Sequence, residues 1–184
     1  MEIESCRGKQ MKKLIIYGSE YGTTRTYASR FSEMTDIPVM NYEDMQSLSD
    51  YGLIIHFGGL FAGGVKGLRK TVKAMNDDTA LIIVTVGLAD VNDKENTDNI
   101  KKSISKQVPE KILKNTQVFH LRGGIDYSKL NFKHKTMMTL LYRKAKSLPE
   151  EKKTAEITAM IETFGKKVNF VNFESLSPIM DAVQ

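Results

Sequence analysis

Leu14-Ile15-Ile16-Tyr17-Gly18-Ser19-Glu20-Tyr21-Gly22-Thr23-Thr24-Arg25 is the stretch that decides how this 184-residue chain is read. An apolar run ends in a short loop of glycine and hydroxyl residues. A helix is predicted directly after it, over about 24–34, because Tyr27, Ala28, Phe31 and Met34 recur at helical spacing. The first N–H groups of a helix have no intrahelical partner, and the helix dipole favours an anion there. Ser19, Thr23 and Thr24 add hydroxyl donors. The expectation is a strand, a polar loop and a helix N-terminus that together hold the phosphate of a mononucleotide.

Outward from this loop the pattern repeats. Strands are expected at 12–17, 37–40, 52–59, 79–87 and 116–121. Their apolar runs suit strands buried on both faces, as in parallel sheets. Pro38 favours an edge position or a strand start for the second strand. Helices are predicted at 65–75, where Val65, Leu68, Val72 and Met75 fall three and four apart, and at 98–108, stopped by Pro109. Residues 42–49 read as a short helix or loop. Alternation of strand and helix predicts an α/β fold, a doubly wound five-stranded parallel sheet with helices on both faces. Ligands bind such sheets at the C-terminal strand ends. Three glycine-rich or small-residue loops fall there, at 18–24, 58–64 and 87–90.

Composition narrows the function classes. With 41% hydrophobic and 27% charged residues, the chain reads as an ordinary globular protein, with 12–184 as one domain. No apolar run approaches a membrane span, and residues 1–11 read as a polar, disordered leader. Cys6 is the single cysteine, which leaves no intramolecular disulfide or cysteine metal site and fits a reducing cytoplasm. The net charge of +5 is concentrated: 122–167 holds eleven Lys or Arg against five Asp or Glu. Within it, 125–150 reads as an insertion with a basic helix from Phe132 to Ala145, and a further helix is predicted at 154–164, packed on the sheet. The basic, amphipathic segment Lys129–Lys146 suits peripheral contact with an anionic membrane or an acidic partner. Its lysines are not interleaved with stacking aromatics, so nucleic acid is not the expected partner. The tail 169–184 is too apolar to be free and is expected to dock on the domain or a partner.

The loop is neither a Walker A loop, since no lysine follows Gly22, nor a dinucleotide fingerprint, since Gly-x-Gly-x-x-Gly is absent. Its Ser-x-x-Gly-x-Thr spacing resembles the phosphate loop of the flavodoxins, whose common pattern carries threonine where Tyr21 stands here. The resemblance implies a flavodoxin-like fold, sheet order 2-1-3-4-5, and a non-covalent FMN. It further implies that Ser19, Glu20, Tyr21, Gly22, Thr23 and Thr24 hold the phosphate. Gly59, Leu60, Phe61, Ala62, Gly63 and Gly64, together with Gly87, Leu88, Ala89 and Asp90, would flank the flavin ring. Leu60 or Phe61 would pack on one ring face.

The insertion, Arg122-Gly123-Gly124-Ile125-Asp126-Tyr127 followed by Leu130, Phe132 and the basic helix, resembles in layout the flavodoxin-like menaquinone-dependent protoporphyrinogen oxidases. Three functions follow as expectations. The first is an electron carrier serving a redox partner protein or small-molecule substrate. The second is an FMN-dependent oxidoreductase with a quinone acceptor. The third is a non-redox domain that has lost the flavin. No catalytic acid, base or nucleophile and no metal site is singled out by pattern.

Overall fold

A computed structural model describes residues 11–61 and 63–183. Most of the expected leader, Cys6 and Ala62 lie outside the described residues. The elements run β1 (Lys13–Gly18), α1 (Thr23–Thr35), β2 (Val39–Asn41), β3 (Leu53–Phe61), β4 (Gly64–Val65), α2 (Leu68–Ala74), β5 (Ala80–Gly87), α3 (Lys94–Ser105), α4 (Glu110–Leu113) and β6 (Gln117–Arg122). They continue as β7 (Gly124–Asp126), α5 (Phe132–Lys146), α6 (Ala155–Thr163), β8 (Lys167–Asn169) and α7 (Ser177–Val183).

Five strands form the parallel sheet in the order β2-β1-β3-β5-β6, and β4 folds back antiparallel on the end of β3. The five parallel strands therefore follow the expected 2-1-3-4-5 order, with one short antiparallel strand added. The direction in which successive strands are added to the sheet reverses between β1 and β3, where Gly18 pairs with Gly58. That pairing lies at the C-terminal ends of both strands, at the topological switch point.

Alternate strand residues feed two cores, as strands buried on both faces require. Ile15, Ile55, Ile82 and Val84 pack against Tyr27, Ala28 and Phe31 of α1 and against Leu176, Ile179 and Val183 near the C-terminus. Leu14, Ile16, Ile54, Leu81 and Ile83 pack against Leu68 and Val72 of α2 and Ile100 and Ile104 of α3. The tail thus fills the α1 side of the sheet. Tyr27 fastens it: its hydroxyl donates to Arg122 O and accepts from Asn172 N, both at 2.9 Å.

Several element boundaries differ from the sequence reading. The segment expected to be helical from 65 begins its helix at Leu68, because Gly64 and Val65 pair with Phe61 and Leu60. The helix expected over 98–108 runs from Lys94, because Asp93 caps it by accepting from Glu95 N at 2.8 Å and Asn96 N at 3.2 Å. Of the two readings of residues 42–49, short helix or loop, the structure takes the loop, with only turns and irregular backbone. The helix expected on the sheet, α6, packs elsewhere. Met160 and Phe164 join Ile125, Tyr127, Met138 and Leu141 in a third, smaller core that also takes in Tyr21 and Leu88. α7 takes the place beside α1, since Leu176 and Ile179 are fully buried there.

Candidate functional site

β1 ends at Gly18, and the chain turns through Ser19–Gly22 into α1. Ser19 Oγ accepts from Gly22 N at 3.1 Å and closes the turn. Gly22 caps α1 in the left-handed region, φ 95°, a conformation that a Cβ would strain. No side chain caps this helix and no acidic residue sits in its first turn. Three other α-helices, α3, α5 and α6, carry a side-chain cap. The bare N-terminus of α1 therefore keeps its donors and its dipole for an anion.

One cleft joins this helix end to the ends of β3 and β5. Glu20 and Tyr21 line it from the first loop, Thr23 and Thr24 from the start of α1, Gly59 and Leu60 from β3, Val86 and Gly87 from β5, and Leu88 from the position after it. Of the expected site residues, Ser19 and Gly22 shape the same loop without lining the cleft. Gly63 and Gly64 turn away: Gly63 O accepts from Ser103 Oγ on α3 at 2.6 Å, and Gly64 pairs with Phe61. Phe61 lies beneath the Lys66 ammonium, 6.0 Å from its ring centroid, and Leu60 is the β3 side chain that borders the cleft. Ala89 is buried. Exposed Asp90 makes an Asx turn with Asn92 N at 2.9 Å.

The sequence reading assigned no role to Gly123, Gly124, Ile125 or Glu156, which complete the lining. Gly123-Gly124 was visible as the stop after the last long strand. Thr23 Oγ1 donates to Gly124 O at 3.4 Å, which ties this turn to the first loop. Glu156, one glutamate in a helix, gave no signal. Its carboxylate crosses to the end of β5 and accepts from Ala89 N at 3.2 Å and Leu88 N at 3.4 Å. Burial raises its pKa, and the two N–H bonds hold it back from rising further.

The acidic residue of the loop is neutralised. Glu20 pairs with Lys66, and its other oxygen lies 2.9 Å from His134 Nε2 on α5. Without that pairing, a carboxylate in this loop would repel a phosphate. Tyr21, which departs from the flavodoxin pattern, lies under α5. Its hydroxyl contacts Met138 Sδ at 3.0 Å, and its ring meets His134 edge-on at 6.0 Å. Burial, with Glu20 and Tyr127 nearby, pushes the Tyr21 hydroxyl pKa well above its usual value. Tyr127, from the insertion, is buried with no hydrogen-bond partner for its hydroxyl among the described residues, and burial takes its pKa to about 12.

The donors in this cleft suit a phosphate-bearing planar ligand. The uncapped helix and the hydroxyls lie at one end, and backbone N–H groups and an apolar side chain at the other. The free space is small, about 50 Å³. Sites for cofactor-sized ligands span roughly 300 Å³ or more. Glu156 and Leu60 fill the end of the cleft beside Gly87. A Cβ built on Gly87 would fall 2.7 Å from Leu60 Cδ1 and 3.1 Å from Glu156 Oε2.

A family model described as a flavodoxin domain matches residues 14–152. Solved structures of similar fold include a flavoprotein in complex with FMN from Lactobacillus acidophilus, 11% identical, covering 61% of this chain and 92% of that one, TM-score 0.42. Another is a mutant of flavodoxin from Pseudomonas aeruginosa, 17% identical, covering 75% and 99%, TM-score 0.38. No curated protein matches by sequence.

Proposed function

We propose that this chain, which belongs to the flavodoxin-domain family, binds FMN non-covalently in this cleft and serves as a redox protein. The observation that carries the reading is the bare N-terminus of α1 opening into the same cleft as the ends of β3 and β5. Thr23, Thr24 and the first-turn N–H groups of α1 would hold the phosphate. Leu60, Gly87 and Leu88 would border the ring. The bound flavin supplies one- and two-electron chemistry, and the protein supplies position and electrostatics.

Thr23→Val keeps the side chain's shape and removes one donor to a charged ligand. A charge-assisted hydrogen bond contributes roughly 1.5–3 kcal/mol, so FMN affinity should fall by about tenfold or more. Riboflavin, which lacks the phosphate, should bind wild type and variant alike. The measurement is titration followed by flavin fluorescence and visible absorbance. Absence of any spectral change with wild-type protein would remove the FMN reading. Equal losses for FMN and riboflavin would remove the phosphate assignment.

The outer face of α5 favours a second element, delivery of electrons at an anionic membrane surface. Phe132 is 86% exposed and Leu140 is 60% exposed. They fall on one helical stripe with Thr136, flanked by exposed Lys133, Arg143 and Lys144. The opposite face of the same helix packs on the phosphate loop through His134 and Met138. A membrane-bound α5 would place the cleft beside lipid, in keeping with the quinone-dependent alternative. Among the described residues no helix is long and apolar enough to cross a membrane. Wild-type protein should sediment with phosphatidylserine vesicles and be released by salt, whereas a Phe132→Ser/Leu140→Ser/Lys133→Gln/Lys144→Gln variant should stay in the supernatant. Equal sedimentation of both would exclude α5 as the contact.

A further inference from the structure

We infer that Glu156 is a resident competitor for the flavin-ring half of the cleft, and that cofactor enters when α6 carries this carboxylate away from the Leu88 and Ala89 amides. The inference rests on the FMN reading and concerns a residue outside the segment that matches the family model, which ends at 152.

Four observations support it. First, the Leu88 and Ala89 N–H groups lie where β5 stops pairing, at the strand end that faces the cleft. Each is a donor that an acceptor on a planar ligand would need, and each is taken by Glu156. Second, the remaining space, about 50 Å³, accommodates a few waters but no three-ring ligand. Glu156 and Leu60 are the side chains nearest to where a Cβ on Gly87 would point.

Third, the carboxylate has poor compensation. No ion pair involving Glu156 is found among the described residues, and its bonds to the two amides are long. A partly buried charge held this way regains solvation when it swings out, which lowers the cost of opening. Fourth, the part that would move lies mainly outside the sheet's own packing. α6 rests against α3 and in the small third core with α5, the paired strands β7 and β8 and the Tyr21 and Leu88 side chains, rather than in the two cores that hold the sheet. The loop itself is anchored from the other side, where Arg122 Nε donates to Leu88 O at 3.0 Å while its guanidinium stacks 3.8 Å over Phe170. Opening therefore falls to α6.

The test uses the full-length protein and two variants. Glu156→Gln keeps the volume and removes the charge, and Glu156→Ala removes both. Both should bind FMN and riboflavin about tenfold more tightly than wild type, with the gain in the association rate. In ligand-free protein, hydrogen exchange at the Leu88 and Ala89 amides should be at least tenfold faster in Glu156→Ala. Weaker flavin binding by both variants would overturn the inference, because Glu156 would then be a ligand for the ring. So would unchanged affinity together with unchanged amide exchange. If neither wild type nor Glu156→Ala binds any flavin while exchange still accelerates, the failure belongs to the FMN reading. Binding by Glu156→Ala alone would be the strongest support.

Discussion

Gly18→Ala should destabilise the protein by about 3 kcal/mol, at the upper end of what an overpacked methyl costs, and should weaken FMN binding with it. A Cβ at Gly18 would stand 2.2 Å from Lys66 O and 2.7 Å from Lys66 C. These are backbone atoms, so no rotamer change relieves the clash. Gly58, its partner across β1 and β3, is under the same pressure, since a Cβ there would lie 2.1 Å from Val65 Cγ1. The two glycines let the β4–α2 turn settle onto the switch point. Lys66 holds that turn: its N–H donates to Gly59 O at 3.0 Å, its carbonyl accepts from His56 Nε2 at 3.0 Å, and its ammonium pairs with Glu20. Pushing Lys66 outward loosens all three contacts and moves Glu20 within the Ser19–Gly22 loop. Denaturant unfolding followed by circular dichroism measures the loss, which corresponds to a drop in Tm of roughly 6–12 °C for a chain of this size. A variant within 0.5 kcal/mol of wild type would show that the turn shifts freely and that the glycine is not required by packing.

The long strands were legible because parallel strands buried on both faces leave continuous apolar runs, such as Leu14-Ile15-Ile16 and Leu81-Ile82-Ile83-Val84. The doubly wound parallel arrangement followed from alternation with helices, whereas the 2-1-3-4-5 order came only from the resemblance of the first loop to the flavodoxins. The short elements were not legible. β4 is two residues long, and its Val65 falls on the same helical spacing as Leu68, Val72 and Met75, so its existence depends on a tertiary pairing with Leu60. α7 is seven residues opening on Ser177-Pro178, with the proline in a first turn that tolerates it. In sequence it read as an apolar tail. For the cleft, the glycine loops were visible because a close backbone approach demands small residues in sequence. Gly123-Gly124 was visible but unassigned, since nothing local says that it meets Thr23, a hundred residues earlier. Glu156 carried no sign at all. Its position on α6 is that of an ordinary surface glutamate, and only the packing of α6 over the strand ends turns it inward.

His56 supplies the second large effect, a loss of about 3 kcal/mol of stability between pH 7 and pH 4. The residue is fully buried in β3. Its Nε2–H donates to Lys66 O at 3.0 Å, so Nδ1 is the acceptor and Thr71 Oγ1 donates to it at 3.0 Å. The neutral ring satisfies both nitrogens as the structure stands, and protonation of Nδ1 would require the Thr71 hydroxyl to rotate and accept instead. Burial lowers the pKa from 6.5 to about 4, and the bond to Lys66 O partly opposes that shift. The unfolded chain therefore binds a proton between pH 6.5 and about 4 that the folded chain refuses. The stabilisation is complete above pH 6.5 and is lost as pH falls through this window toward the folded value, which amounts to about 3 kcal/mol at pH 4. His120, whose pKa burial and Lys101 also lower, adds to the same slope, whereas the raised pKa of Glu156 works against it. A comparison isolates the buried histidine: His56→Asn lowers stability at pH 7 by leaving the Lys66 carbonyl without its donor, but it removes the titrating group. Urea unfolding from pH 7 to 4 should give a wild-type stability curve that falls about 3 kcal/mol further than that of His56→Asn. Parallel curves would mean that the folded protein accepts a proton at His56 after all, and that the β3–α2 packing around it opens to water.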